Sequence, residues 1–472
     1  MNTNQSKFFN ERNFVVANLI IGAFITILNQ TLLVTAVPSI MEDLDIPFST
    51  AQWLTTGFFL VNGIMIPVTA FLINKFTTRK LYIFAMTLFT VGTLIAAASP
   101  VFTLLLAGRI VQAGAAGIMM PLTMVVLLKM FPAEKRGRAM GLFGLIIGFA
   151  PAIGPSLSGY IVEIWPWRTL FIIVAPFAAL NIFFAYKFMR NVTETTDPPV
   201  DYISIILSTL GFGGMLYGFS VAGISGWTSP EVLIPIIAGG IIVAIFVRRQ
   251  LRLDIPILQL RVFKNKYFLI SSLIGVIVFT SMVSANNILP VLMQDMLGFT
   301  AFESGLSLLP GAVLMGAFGL IAGVLFDKYG IKTLTFTSMG IILVTSIMLS
   351  VLDENTSWTY ITIVYTFRLL GTGLSMMPLT TFAMNALKDH LLPHGTSINN
   401  TMRQIGGSLF TALLITVMTG FAFNISSGGT PTVGDEIAGV NMSFVVSAVL
   451  AFIGLVMAFF LKEQKYIKAE EH

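Results

Sequence analysis

The sequence predicts an all-α membrane protein with fourteen transmembrane helices, arranged as two six-helix bundles with two extra helices between them. Three observations predict it: a composition too apolar for water, apolar stretches of spanning length, and an internal repeat. Hydrophobic residues make up 56% and charged residues 10% of the 472, against about 25% charge in an ordinary soluble domain. A soluble chain of this length needs far more polar surface, so lipid is the solvent for most of it.

A helix needs about 20 apolar residues to cross the hydrocarbon core. In order, the spans fall near 15–38, 50–73, 81–99, 101–128, 138–163, 168–189, 202–223, 231–250, 267–293, 303–326, 333–352, 357–385, 396–423 and 441–461. The seventh and eighth decide the parity of the count, and 203–221 and 232–247 carry no charge. With the N-terminus inside, 23 of the 27 Lys and Arg fall on the cytoplasmic side. They include Lys7 and Arg12, Lys75 to Lys80, Lys129 to Arg138, Arg248 to Lys266, and Lys462 to Lys468. The acids Glu42, Asp43, Glu231, Asp353 and Asp435 lie outside. This positive-inside bias sets orientation and places both termini in the cytoplasm. The first apolar run, from Phe14, is too long for a signal-peptide h-region and lacks a small-residue cleavage site.

The repeat links the fourth and twelfth spans. Arg109 followed by Gly117 and Pro121 matches Arg368 followed by Gly373 and Pro378, at offsets of 259 for Arg and 257 for Pro. The loops 70–79 and 323–332 correspond at an offset of 253. Two halves of like orientation follow, 1–190 and 267–472, with two linking helices in 191–266. Such parallel halves suit alternating access around a midplane cavity.

Cysteine is absent, and His390, His394 and His472 are the only histidines. Disulfides, thiol catalysis and thiolate metal sites are excluded, and no metal or cofactor is expected. The spans hold no convergent nucleophile and base, and no phosphate-binding loop is present, so neither an enzyme nor a nucleotide-driven pump is expected. The net charge of +5 sits at the membrane edge rather than on a nucleic-acid-binding face.

Polar groups inside spans are the candidate functional residues. Arg109 and Arg368 cost at least ~2.5 kcal/mol in lipid unless they face a cavity or a partner. Gln112 shares the face of Arg109. Asn29 and Gln30 in the first span and Asn286 and Asn287 in the ninth need polar partners, so they are expected to face the cavity or to hydrogen-bond adjacent helices. None of the 22 acids lies at mid-membrane by these spans, so proton coupling is left to rim groups. Glu163 is the first choice, ahead of Asp295, Glu303 and Asp201. Asn399, Asn400, Arg403 and Gln404 form a polar stretch read as a cytoplasmic gate. In the fifth span Gly137, Gly141, Gly144 and Gly148 share one face, followed by Pro151, Gly154, Pro155 and Gly159. The tenth span repeats the pattern in Ala312, Gly316, Gly319 and Gly323. Glycine stripes let helix backbones approach, so these two helices are expected to face each other across the halves. The polar outer loop 424–441, rich in Gly and Thr, is expected to be mobile.

These residues resemble the major facilitator superfamily, specifically its fourteen-helix drug:proton antiporters, over essentially the whole chain. Leu106-Ala-Gly-Arg109-Ile-Val-Gln112-Ala-Gly114 resembles the fourth-helix motif, whose Arg is tied to proton coupling. Gly148 to Gly159 resembles the fifth-helix antiporter motif. Trp167-Arg168 and Pro393 to Gly407 also resemble family signatures, and Leu28-Asn-Gln-Thr-Leu-Leu with Phe76-Thr-Thr-Arg79 is similar to the lincomycin-resistance-type branch. The loop motif implies gating roles for Lys75, Arg79 and, in its second copy, Asp327. The family usually has Asp where this chain has Asn74, and many relatives have Asp in place of Asn29, so Arg109 lacks its usual counter-charge. The resemblance implies a proton-coupled exporter of amphipathic drugs or toxic small molecules, multi-pass in a bacterial plasma membrane and acting as a monomer. Its partners would be small amphipathic molecules, protons and the lipid bilayer. The alternative is a dedicated exporter of an endogenous metabolite or lipid-like molecule.

Overall fold

The computed structural model describes residues 3–33, 36–193, 195–196, 199–426 and 430–462. Among them there are fifteen α-helices and no strand. They are α1 (Thr3–Leu32), α2 (Val37–Leu44), α3 (Phe48–Ala51), α4 (Trp53–Lys75), α5 (Thr78–Ala97), α6 (Phe102–Met130), α7 (Arg136–Ile164) and α8 (Thr169–Phe188). Then come α9 (Tyr202–Ser225), α10 (Pro230–Arg252), α11 (Lys266–Val291), α12 (Ala301–Met348), α13 (Trp358–Asn385), α14 (Leu392–Ile425) and α15 (Val433–Ala458). An all-helical chain is what lipid demands, because each helix satisfies its own backbone hydrogen bonds. Eleven helical segments are long and apolar enough to cross a membrane.

Local sequence sets the ends. Asn265 caps α11 by accepting from the amides of Tyr267 and Phe268, and Ser357 caps α13 through Tyr360. Thr300 with Glu303, and Thr432 with Asp435, form reciprocal capping boxes, each satisfying two otherwise orphaned donors. The second box shortens the expected outer loop 424–441. α15 starts at Val433, and Asn441 lies inside it, exchanging hydrogen bonds with the backbone of Leu352. The first span is also shorter than 15–38: α1 stops at Leu32, and a separate short helix carries Val37–Leu44. The expected loop between the tenth and eleventh spans shrinks to one residue. Gly330 at φ 79° breaks α12, a left-handed conformation that glycine takes without a Cβ clash.

Apolar side chains from Val15 to Met189 pack into one core, and those from Ala285 to Phe444 into another. A third cluster joins the two, with Phe143 and Ile146 of α7 meeting Phe326, Met377 and Leu379. α7 packs along α12 and α13. A Cβ at Gly141 would lie 2.8 Å from the Gly319 carbonyl, one at Gly137 3.0 Å from the Gly323 carbonyl, and one at Gly148 would strike the backbone of Gly316. The two glycine stripes therefore lie backbone to backbone, as the sequence pattern predicts. On another side of the molecule α9 packs against α10, α4 and α14.

Substituting Gly148 by Ala places a methyl against backbone that cannot yield. Overpacking of this kind costs about 1–3 kcal/mol, more than the helix propensity gained, roughly 1 kcal/mol. Gly148→Ala is expected to lower Tm in detergent, whereas Gly159→Ala, where a Cβ meets nothing within 4 Å, is expected to leave Tm equal or higher.

Candidate functional site

Arg109 stands seven residues into α6, about 10 Å along the axis, and is 1% exposed. Its Nη1 donates to Asn29 Oδ1 at 2.8 Å and to Gln112 Oε1 at 3.0 Å, with the Asn29 carbonyl at 3.4 Å. Gln112 Nε2 donates in turn to Thr93 Oγ1 at 2.8 Å. The guanidinium lies 4.4 Å above the Phe58 ring, while Nε has no partner. Four helices, α1, α4, α5 and α6, thus converge on one charge. Amide dipoles and an aromatic face hold it in place of a carboxylate. Gln30 and Thr31, next along α1, are half-buried.

Arg368 of α13 sits in a parallel cage. Its Nη1 donates to Ser346 Oγ and its Nη2 to Ser447 Oγ, both at 2.7 Å, and Nε reaches the Ser281 carbonyl at 3.3 Å. Phe444 lies 5.6 Å away, as Phe58 lies beside Arg109. Each arginine touches a carbonyl on the first long helix of its own half, Asn29 on α1 or Ser281 on α11. Ser346 follows Thr93 by 253 residues, the same offset as the loop repeat.

The polar stretch of α14 divides. Arg403 donates to Thr380 Oγ1 at 2.5 Å and to the Met376 carbonyl at 3.2 Å, and Asn399 donates to Ser272, so both turn into the second half. Asn400 meets Met124, and Gln404 approaches Gly63, so these turn toward the first. At the Lys75 end the halves are joined by polar contacts. Arg136 donates to Asp389 Oδ1 at 2.9 Å and to Asn385 Oδ1 at 3.2 Å, and Asn74 meets His394 at 3.2 Å. Asp327 lies here too, beside Gly137. Lys75 lies over Phe71. Arg79 donates its guanidinium to the Tyr186 carbonyl and its backbone amide to Asn191 Oδ1, so both its partners belong to 186–191.

Other candidates stand apart. Glu163 is exposed near the far end of α7. Asn286 and Asn287 are exposed. Gly154 lies against Thr31, and the side chains of Pro151 and Pro155 fall outside those described. Asp201 and Glu303 already serve as helix caps. Burial alone would raise the Asp201 carboxyl, but bonds from Arg249 and Ser204 outweigh it and hold the group below the usual range.

Against known proteins, the Major Facilitator Superfamily model matches residues 19–411. The chain belongs to this superfamily. It is 49% identical, over 98% of each chain, to the uncharacterized MFS-type transporter YcnB of Bacillus subtilis. It is 40% identical to the lincomycin resistance protein LmrB of Listeria monocytogenes, over 96% of this chain and 97% of that one. Among solved structures, the human organic anion transporter MFSD10 matches with a TM-score of 0.69 at 11% identity, covering 95% of this chain and 99% of that one. At that identity the likeness shows the fold alone. The chain is therefore a multi-pass membrane transporter and not an enzyme.

Reading the sequence alone missed several polar groups of this transporter. Tyr82 places its hydroxyl 2.7 Å from the Asn18 carbonyl and 2.8 Å from Asn181 Oδ1, tying α5, α1 and α8. The signal was a buried amide in each of two apolar helices, Asn18 of α1 and Asn181 of α8. Arg136 and His394 were read only as a loop charge and as part of a signature. At the far end, bonds from Arg168 and Trp167 hold the Asp43 carboxyl below its ordinary range.

Two outcomes are expected. Asn29→Leu leaves the Arg109 charge short of its best acceptor and should cost about 1.5–3 kcal/mol of stability. A double-mutant cycle with Arg109→Met, read by unfolding, should recover most of that loss. The Asp43 carboxyl is depressed in the folded state, so its contribution is present above the ordinary carboxylate range and lost as pH falls through the folded value. Tm measured on acidification should show a step that Asp43→Asn removes.

Proposed function

We propose that this transporter is a proton-coupled exporter of amphipathic drugs or other toxic small molecules, working by alternating access in a bacterial plasma membrane. The full-length likeness to lincomycin resistance proteins carries the reading. A multidrug transporter protein, MdtP of Bacillus subtilis, 29% identical over 88% of this chain and 77% of its own, supports it.

Fourteen crossings follow if α7 and α13, of 29 and 28 residues, join the eleven segments and α12 counts as two, divided at Gly330. An even count puts both termini on one side, and the bias of Lys and Arg makes that side cytoplasmic. The two bundles, 1–190 and 267–472, then meet at their cytoplasmic ends through Arg136, Asp389, Asn74 and His394. That arrangement matches a state closed toward the cytoplasm.

The described buried charges are Arg109, Arg136, Arg368 and Arg403, with no buried Asp or Glu among them. This balance favours anionic, zwitterionic or neutral amphiphiles over dications. Glu163 remains our choice for the proton carrier, because Asp201 and Glu303 are engaged as caps. Arg109 with Asn29 and Gln112 would sense the substrate or the proton, and the α7–α12 seam would carry the rocking of the halves.

The test is transport by purified protein in liposomes under an imposed pH gradient, with a panel of anionic, zwitterionic, neutral and dicationic drugs. Wild-type flux should follow the gradient. Glu163→Gln should flatten that dependence, and Arg109→Ala should reduce flux at least roughly tenfold, the effect of losing about 1.4 kcal/mol. Flux indifferent to the gradient refutes proton coupling. Dication export that is intact in Arg109→Ala refutes the charge reading.

A further inference from the structure

The helices α9 and α10 lie outside the repeat, and both segments that connect them to the halves end at the same place. The entry segment is held by the first half. The amides of Val192 and Thr193 donate to Thr78 Oγ1 at 3.2 and 3.1 Å, and the Thr196 amide donates to the Asn74 carbonyl at 2.9 Å. The exit segment is held by the second half, where the Gln259 amide donates to His394 Nδ1 at 3.3 Å. With Nδ1 accepting, His394 Nε2 carries the ring proton, and it lies 3.2 Å from the Asn74 side-chain amide, which accepts it through its oxygen. His394 is 9% exposed. One residue pair, Asn74 and His394, therefore joins α4 to α14 and also holds both connecting segments.

Between those ends the two helices form a stiff unit. Arg249 pairs with Asp201 at 3.0 Å, and Gln250 bonds Ser204 at 2.6 Å and the Leu258 amide at 3.1 Å. α9 is fastened to both halves. Tyr217 stacks on Trp53 of α4, and Leu216 seats on Gly63. Trp227 donates to Thr416 of α14. Leu216, Tyr217 and Ser220 of α9 share a small cleft with Thr56 and Gln404, so α9 fills the crease between α4 and α14.

We infer that α9 and α10 are a clamp whose seating in the α4–α14 crease is coupled, through the Asn74–His394 junction, to closure of the Lys75 end. Separating the halves there must part Asn74 from His394. That parting draws the entry segment with the first half and the exit segment with the second. The stiff pair held between them cannot follow both, so its hold on the crease loosens as the end opens. The inference rests on alternating access, which the liposome assay tests separately. The coupling is read by distances that do not depend on substrate or proton.

The absence of cysteine makes the intact chain ready for site-directed spin labels. One pair, at Lys80 and Lys388, reports the junction end. The other, at Thr228 and Thr419, reports the seating of α9; all four positions are exposed. His394→Ala removes two hydrogen bonds and should raise the open population at Lys80–Lys388 roughly tenfold, with Thr228–Thr419 broadening in step. His394→Gln, which can still accept and donate, should restore both distributions toward wild type. Opening at the first pair with no change at the second overturns the coupling, and so does no change at either. Should His394→Ala fail to fold, the wild-type helices serve instead. A bifunctional thiol cross-link between Lys80→Cys and Lys388→Cys, in the chain that keeps His394, should slow deuterium exchange at the Thr196 and Gln259 amides, and unchanged exchange overturns the inference.

Discussion

The close approach of α7 and α12 is the constraint on which the joining of the two halves depends. Lipid offers no hydrophobic force to draw helices together, so contact between the halves must come from packing and polar bonds. Glycines at 137, 141 and 148 meet those at 323, 319 and 316 with no room for a side chain. Side chains flank this backbone contact, Phe149 of α7 lying on Gly316 and Phe326 of α12 on Gly137. The polar contacts gather at one end of this seam, around Arg136 and His394.

The buried arginines present the opposite problem, since each must be held without a carboxylate. The chain answers it twice by similar means. Asn29, Gln112 and Phe58 surround Arg109; Ser281, Ser346, Ser447 and Phe444 surround Arg368. Neutral dipoles lower the cost of burial without cancelling the charge. The charge of each arginine is thus left without an opposite charge beside it among the contacts described. A carboxylate at position 29 would have supplied that opposite charge for Arg109.

Much of this was legible in the residues. The glycine stripes of the fifth and tenth spans announced their contact, because a spacing of three or four residues fixes one helical face. The offset between Arg109 and Arg368 announced two like halves, and Gln112 stood one turn from Arg109 as its spacing required. The second capping box was equally legible in Thr432 and Asp435, but the Gly and Thr around 424–441 drew attention to turn chemistry instead. The direction in which Asn286 and Asn287 point was not legible, because amides in an apolar run do not say which way their face turns.

By itself, then, the sequence determined that the chain lives in lipid, that it is helical and that it is doubled, because composition, hydrogen-bond demand and repeat offset are properties of the chain read in order. The tertiary structure alone decided which polar groups meet. Asn74 and His394 are 320 residues apart, Arg136 and Asp389 are 253 apart, and no local pattern encodes either pairing. The place of α9 between α4 and α14 is of the same kind. It depends on how whole helices pack, and that is fixed only when every face has found its neighbour.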